Sequence, residues 1–139
     1  MKGQQNLSKP LVAVLLLVVL GFSLFCSCGG SNSPEKVARS WVEAIAAGNC
    51  DRAERYWSSD WTDGNSSYCG PTATTLILSA KIREVDADPE QDGYLVHVYG
   101  TFVARDMWGD EREADQLWVH LEEVNGKYYV YYLDVWYIY

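Results

Sequence analysis

Few residues in this chain have the chemistry to act as acids, bases or ligands, and they are widely spaced. Asp134 stands among Tyr, Leu, Val and Trp near the C-terminus, and the only histidines, His97 and His120, lie in two separate runs of alternating polarity. A carboxylate held among aromatic rings away from water has a raised pKa and can serve as a general base. The histidines would need a shared enclosed face to hold a metal or a proton relay. No nucleophile elbow, phosphate-cradling glycine loop or metal-ligand spacing accompanies them. What these side chains do therefore depends on the elements that position them.

The C-terminal run Lys127–Tyr139 carries six of the ten tyrosines, interleaved with Val130, Leu133, Val135, Trp136 and Ile138. Aromatic and β-branched residues at this density favour a covered, pleated surface. Asn125–Gly126 before it is a strong hairpin signal. A two-residue turn sets Val124 opposite Lys127, and an unbroken register then pairs Leu121 with Val130, Val119 with Tyr132 and Leu117 with Asp134. The inner set becomes Val130, Tyr132, Asp134 and Trp136, so Asp134 is the one carboxylate expected on the core side. Tyr132 and Tyr56 are its candidate hydrogen-bonding partners, and Trp41 and Trp136 complete the candidate ligand pocket. Two alternatives stand beside this: Asp134 solvated or paired with an Arg at the sheet rim, or turned outward by a nearby bulge.

The outer set, by the same register, pairs Glu122 with Tyr129, His120 with Tyr131 and Trp118 with Leu133. Both histidines fall on this face, facing solvent or a partner. Tyr99, Trp118, Tyr129 and Tyr131, with Leu133, form an aromatic patch large for a bare monomer. It suits a homodimer or another envelope protein; the alternative is that the Asp106–Ala114 connection folds over it.

Upstream, Ser33-Pro34-Glu35 reads as a helix start, and Val37, Ala38, Trp41, Val42 and Ile45 form one apolar stripe. Gly48–Asn49 ends that helix, and Asp51–Trp57 reads as a second, with Ala53, Tyr56 and Trp57 inward. After Thr72 the period becomes two, with a polar turn over Asp86–Gly93. Two helices and then four antiparallel strands make an α+β plan.

Lys2 and Lys9 precede an apolar run, Leu11–Phe25, followed by Cys26-Ser27-Cys28 and a Gly/Ser/Asn linker over 29–33. A basic end, an apolar stretch and small residues make an export signal. Phe25-Cys26-Ser27-Cys28-Gly29 resembles a bacterial lipobox, which makes Cys28 the lipidation candidate. An uncleaved single-span anchor and simple cleavage are the alternatives. Residues 1–28 are thus signal or anchor, and 34–139 the domain. Export places the domain in an oxidising compartment, where Cys50 and Cys69, its only cysteines, are expected to pair. All 19 acidic residues lie beyond residue 28 against nine of the eleven basic ones, a net charge of −10. That charge repels phosphate backbones and excludes nucleic acid as a partner. It also leaves the N-terminus as the only means of membrane attachment.

Residues 33–49, running into Asp51-Arg52-Ala53, resemble the opening of small secreted nuclear transport factor 2-like (cystatin-like) domains, and Glu123–Val130 resembles their last hairpin. The resemblance implies a cone, a curved sheet wrapped around the first helix with a pocket between them. Members of that fold include isomerases that use an inner-face Asp, as well as binding modules. The expected function is a membrane-anchored extracytoplasmic domain without cofactor that binds a protein partner or a small apolar ligand. The alternatives are an accessory lipoprotein with a self-filled core and, last, an isomerase or dehydratase using Asp134.

Overall fold

Ser33 opens the first helix, α1 (Pro34–Ala46): its Oγ accepts the Lys36 N–H at 3.3 Å, and Pro34 needs no N–H partner at this position. These contacts come from a computed structural model that describes residues 32–58, 68–70, 73 and 75–138. Cys28 and the Leu11–Phe25 run lie outside the described residues. The stripe of Val37, Ala38, Trp41, Val42 and Ile45 is buried as its spacing requires. Gly48 at φ +67° ends α1, with its N–H donating to Ile45 O and the Asn49 N–H to Ala44 O, the paired closure of a Schellman motif. Asn49 then caps a short α2 (Cys50–Glu54) through Oδ1 and the Arg52 N–H.

α2 stops short of the expected Trp57. Tyr56–Ser58 instead run alongside the last strand, with Trp57 bridging to Val130 in parallel. The Val130 N–H donates to Tyr56 O at 2.6 Å and the Ser58 N–H to Val130 O at 2.9 Å.

The four strands are β1 (Leu76–Glu90), β2 (Gly93–Arg105), β3 (Glu111–Val124) and β4 (Lys127–Tyr137). They form one antiparallel sheet in the order β1-β2-β3-β4. β1 runs on through the Asp86–Glu90 stretch expected to be a turn; the reversal is only Gln91–Asp92. Glu84, Asp86, Asp88 and Glu90 alternate with Val85 and Ala87, so an edge strand can carry the acids on its solvent side. The β3–β4 turn is the expected one, with Asn125 and Gly126 both at positive φ and Val124 opposite Lys127.

α1 covers one sheet face and contacts all four strands. Between them lie Val96, Val98, Phe102, Leu117, Val119, Leu121 and Val130, all fully buried. Each such side chain contributes about 1.5–3 kcal/mol. Trp41, Trp57 and Tyr68 pack ring on ring beside them, with centroids 5.1–5.9 Å apart. Cys50 and Cys69 are disulfide-bonded, Cα to Cα 5.6 Å, which anchors Tyr68 at the end of its loop.

The expected cone is overturned. Each strand pairs only with its sequence neighbours, so β1 and β4 remain opposite edges of an open sheet, neither curved nor closed around the helix. α1 lies on one face, and large side chains fill the space beneath it.

Candidate functional site on the outer sheet face

One extra residue in β4 decides which side chains face outward. The β3–β4 pairing runs regularly from Val124–Lys127 to Leu121–Val130, then jumps to His120–Tyr132, leaving Tyr131 unopposed. This β-bulge shifts every later residue to the other face. Asp134 therefore sits opposite Trp118, not Leu117, and Val119 meets Leu133, not Tyr132. Leu133 is only 5% exposed and packs in the core, whereas Tyr132 is 47% and Trp136 51% exposed.

Combining the registers of all four strands gives three transverse rows on the face opposite the helices. They are Glu84–Tyr99–Gln116–Trp136, Asp86–His97–Trp118–Asp134 and Asp88–Leu95–His120–Tyr132. Each row begins with an acid at the β1 edge and carries aromatic or imidazole rings toward β4. The Trp118 and Trp136 rings lie 4.7 Å apart, and His97 meets Trp118 edge-on at 5.1 Å. His97 also stacks parallel to Tyr99 at 6.2 Å.

Two histidine–carboxylate pairs flank Trp118. His97 Nε2 is 3.1 Å from Asp88 Oδ2, while its Nδ1 is 3.1 Å from Gln116 Nε2. His120 Nε2 lies 3.3 Å from Asp134 Oδ2, with 19% of the His120 and 43% of the Asp134 side chain exposed. The Asp134 carboxylate beside Tyr132 holds that phenol above its ordinary value near 10.0, helped by partial burial and by the hydrogen bond the phenol makes to Asp134. The Trp118 indole N–H is buried without a hydrogen-bond partner among the described residues.

The expected pocket is not assembled. Trp41 is in the core and Tyr56 packs against it, while Tyr132, Asp134 and Trp136 lie on the opposite face of the sheet. Asp134 thus stands as a half-exposed hydrogen-bonding neighbour of His120, because the bulge outweighs the register set by the turn. The expected outer set is also revised. Tyr99 and Trp118 occupy the centre of the face, Tyr129 lies opposite Glu122 at its end, and Tyr131 is the bulge residue. Leu133 and Val135 turn inward, the latter opposite Leu117.

The β1 acids were missed as part of this surface, although their alternation with Val85 and Ala87 was visible. They continue into a cleft of about 560 Å3 at the β1–β2 turn, lined by Glu90, Asp92, Glu122 and Tyr131 among others. Burial, then Glu90, Glu122 and Asp92, push the Tyr131 hydroxyl up. Ser58, buried alongside β4, donates its hydroxyl to the Glu122 carboxylate.

Chemically, the face can stack flat groups, accept hydrogen bonds and attract positive charge. No Ser, Thr, Cys or Lys stands in the three rows to be activated by either histidine–carboxylate pair. Among the described residues no group of three or more His, Cys, Asp or Glu side chains is arranged to hold a metal ion. None of their helices is long and apolar enough to cross a membrane. Comparison with family models, curated proteins and solved structures found no match.

Proposed function

We propose that this chain is a membrane-tethered extracytoplasmic domain, without enzymatic activity of its own, that binds a protein partner through the outer sheet face. The observation that carries this is the pair of half-exposed rings Trp136 and Tyr132, with the partly buried Trp118 packed against Trp136, on the side of the sheet opposite the helices. Aromatic side chains are the commonest anchors of protein interfaces, and grouped rings of this kind tend to be covered by something. The filled interior favours a face over an inner ligand pocket, since Trp41, Trp57 and Tyr68 occupy the space beneath α1. Extracytoplasmic placement rests on the basic–apolar N-terminus and agrees with the Cys50–Cys69 disulfide. Tethering rests on Cys28 in its lipobox-like setting.

A photo-crosslinking residue at position 132 of the full chain, in its own membrane, tests the reading. An adduct with another protein is expected, and Trp136→Ala should weaken it. Absence of any adduct from 132, with one formed instead from Glu43 on the helix side, would overturn it. Intact mass of the membrane-extracted chain should show a diacylglycerol on Cys28; a full-length unmodified chain would remove the lipid tether.

A further inference from the structure

We infer that the outer sheet face accommodates a basic segment of its protein partner, with Arg or Lys side chains lying over the Trp118–Trp136 rings between Asp134 and the acidic β1 edge. This deepens the proposed function and rests on it. The twelve positions of the three rows contain four carboxylates and no Lys or Arg. Adjacent strands stand about 4.8 Å apart, so Asp134 is one strand from Trp118 and the β1 acids are two. A cation above the indole pair is then within the roughly 6 Å at which aromatic faces attract it, with carboxylates on both sides.

The acid pattern continues beyond the rows. The next outer positions are Glu90 on β1 and Glu122 on β3, and both line the cleft that also takes in Asp92 and Tyr131. Moving the other way along the sheet the charge turns basic: Arg83 stands exposed and unopposed beside Glu84, Lys81 lies opposite Thr101, and Arg105 is held 2.5 Å from Glu111. The negative charge thus concentrates on the Asp86, Asp88 and Glu90 side of the face, in the rows that hold Trp118, Asp134 and Tyr132. Charge complementarity also selects among occupants. A second copy would set these acids against their own kind, and the chain beyond residue 28 carries a net −10. A neutral polysaccharide would stack on the rings but draw nothing from the acidic edge.

The test uses the full chain in nonionic detergent with four synthetic peptides, alternating Ser with Arg, Lys, Gln or Glu, and a neutral polysaccharide as a fifth ligand. The Arg and Lys peptides are expected to bind, more weakly as salt rises, and the Gln and Glu peptides not. Trp136→Ala, which changes no charge, should weaken the Arg peptide about tenfold. Asp134→Asn should weaken it comparably, whereas Glu43→Gln on α1 should leave it unchanged. Circular dichroism of each variant checks that it is folded, and a conservative Trp136→Tyr should restore most of the affinity. Equal binding of the Gln peptide, salt-independent binding of the polysaccharide, concentration-dependent dimerisation lost in Trp136→Ala, or equal losses in Glu43→Gln and Asp134→Asn would each overturn the inference. Failure of this inference is distinguishable from failure of the proposed function. A crosslink from position 132 to a partner segment without Lys or Arg removes only the basic chemistry, whereas no crosslink removes both.

Discussion

Leu133 donates its backbone N–H to the hydroxyl of Tyr68, 3.3 Å away across the buried edge of β4. The bulge at Tyr131 turns Leu133 inward, and among the described residues no further strand pairs with β4 to accept this N–H. Tyr68 takes that place from the far end of a loop closed by the Cys50–Cys69 bond. Tyr68→Phe should therefore destabilise the domain by about 1–3 kcal/mol, the penalty for a buried donor left without a partner. Urea unfolding measures it, and an unchanged midpoint would show that the hydroxyl is dispensable.

The same substitution has a pH signature. Burial pushes the Tyr68 hydroxyl above its ordinary 10.0; the Leu133 hydrogen bond opposes this, and nearby Tyr132 and Asp134 add to it. The folded state then holds this proton to higher pH than the unfolded state. Its stabilising contribution is complete below about pH 10 and is lost as pH rises through the folded value. Tyr131, Tyr132 and Tyr137 are shifted the same way. Stability should fall above about pH 10, and Tyr68→Phe should make that fall shallower in a stability–pH profile.

Opening the disulfide should be felt at the same place. Its ends are 19 residues apart, and a loop of that length constrains the unfolded chain by roughly 3 kcal/mol. The paired Cys50→Ser and Cys69→Ser variant should unfold at correspondingly lower denaturant. Hydrogen exchange at Leu133 should accelerate more than at Val119 in the sheet centre. Uniform acceleration would mean that Tyr68 stays in place without the bond.

Neighbouring residues of β4 give opposite responses if the bulge is where it stands. Leu133→Ala removes a buried side chain and should cost about 2–5 kcal/mol. Tyr132→Ala, on the exposed face, should cost much less. An unbroken hairpin register reverses that order, so the two unfolding midpoints decide between them.

Asp134 and Tyr132 can be examined spectroscopically. The first cause of the raised Tyr132 value is the Asp134 charge, so Asp134→Asn should bring the phenol down toward its ordinary range. Ultraviolet titration of the tyrosinate reads this directly, with Tyr132→Phe identifying the transition. Stability should change by less than about 1 kcal/mol, because the His120–Asp134 pair is partly solvated.

Much of the molecule was legible without coordinates because its signals are local. The Ser33–Pro34 cap, the α1 stripe ended by Gly48, and the Asn125–Gly126 turn each depend on a few adjacent residues and their dihedral preferences. The Cys50–Cys69 bond followed from there being only two cysteines after an N-terminus that reads as an export signal. Even the outward placement of His97 and His120 survived, since the extra residue lies in β4 and leaves the alternation of β2 and β3 through the histidines unbroken. The cone did not survive, because whether a sheet closes around a helix depends on contacts between distant strands.

The face of Asp134 belonged to the second kind. Strand alternation has period two, so one unopposed residue at 131 reverses the assignment of every residue from 132 to 137. Nothing in the run of tyrosines marks which of them is extra. The local surroundings do: Tyr56 and Ser58 clamp Val130 from the free edge of β4, and Tyr68 receives the Leu133 N–H three residues later. Those partners come from segments far away in the chain, tied to the short helix before them by the disulfide. The sequence alone thus determined the elements, the turn and the crosslink. Only the tertiary structure decided that Tyr132, Asp134 and Trp136 look outward, because a bulge is selected by what lies against both edges of its strand.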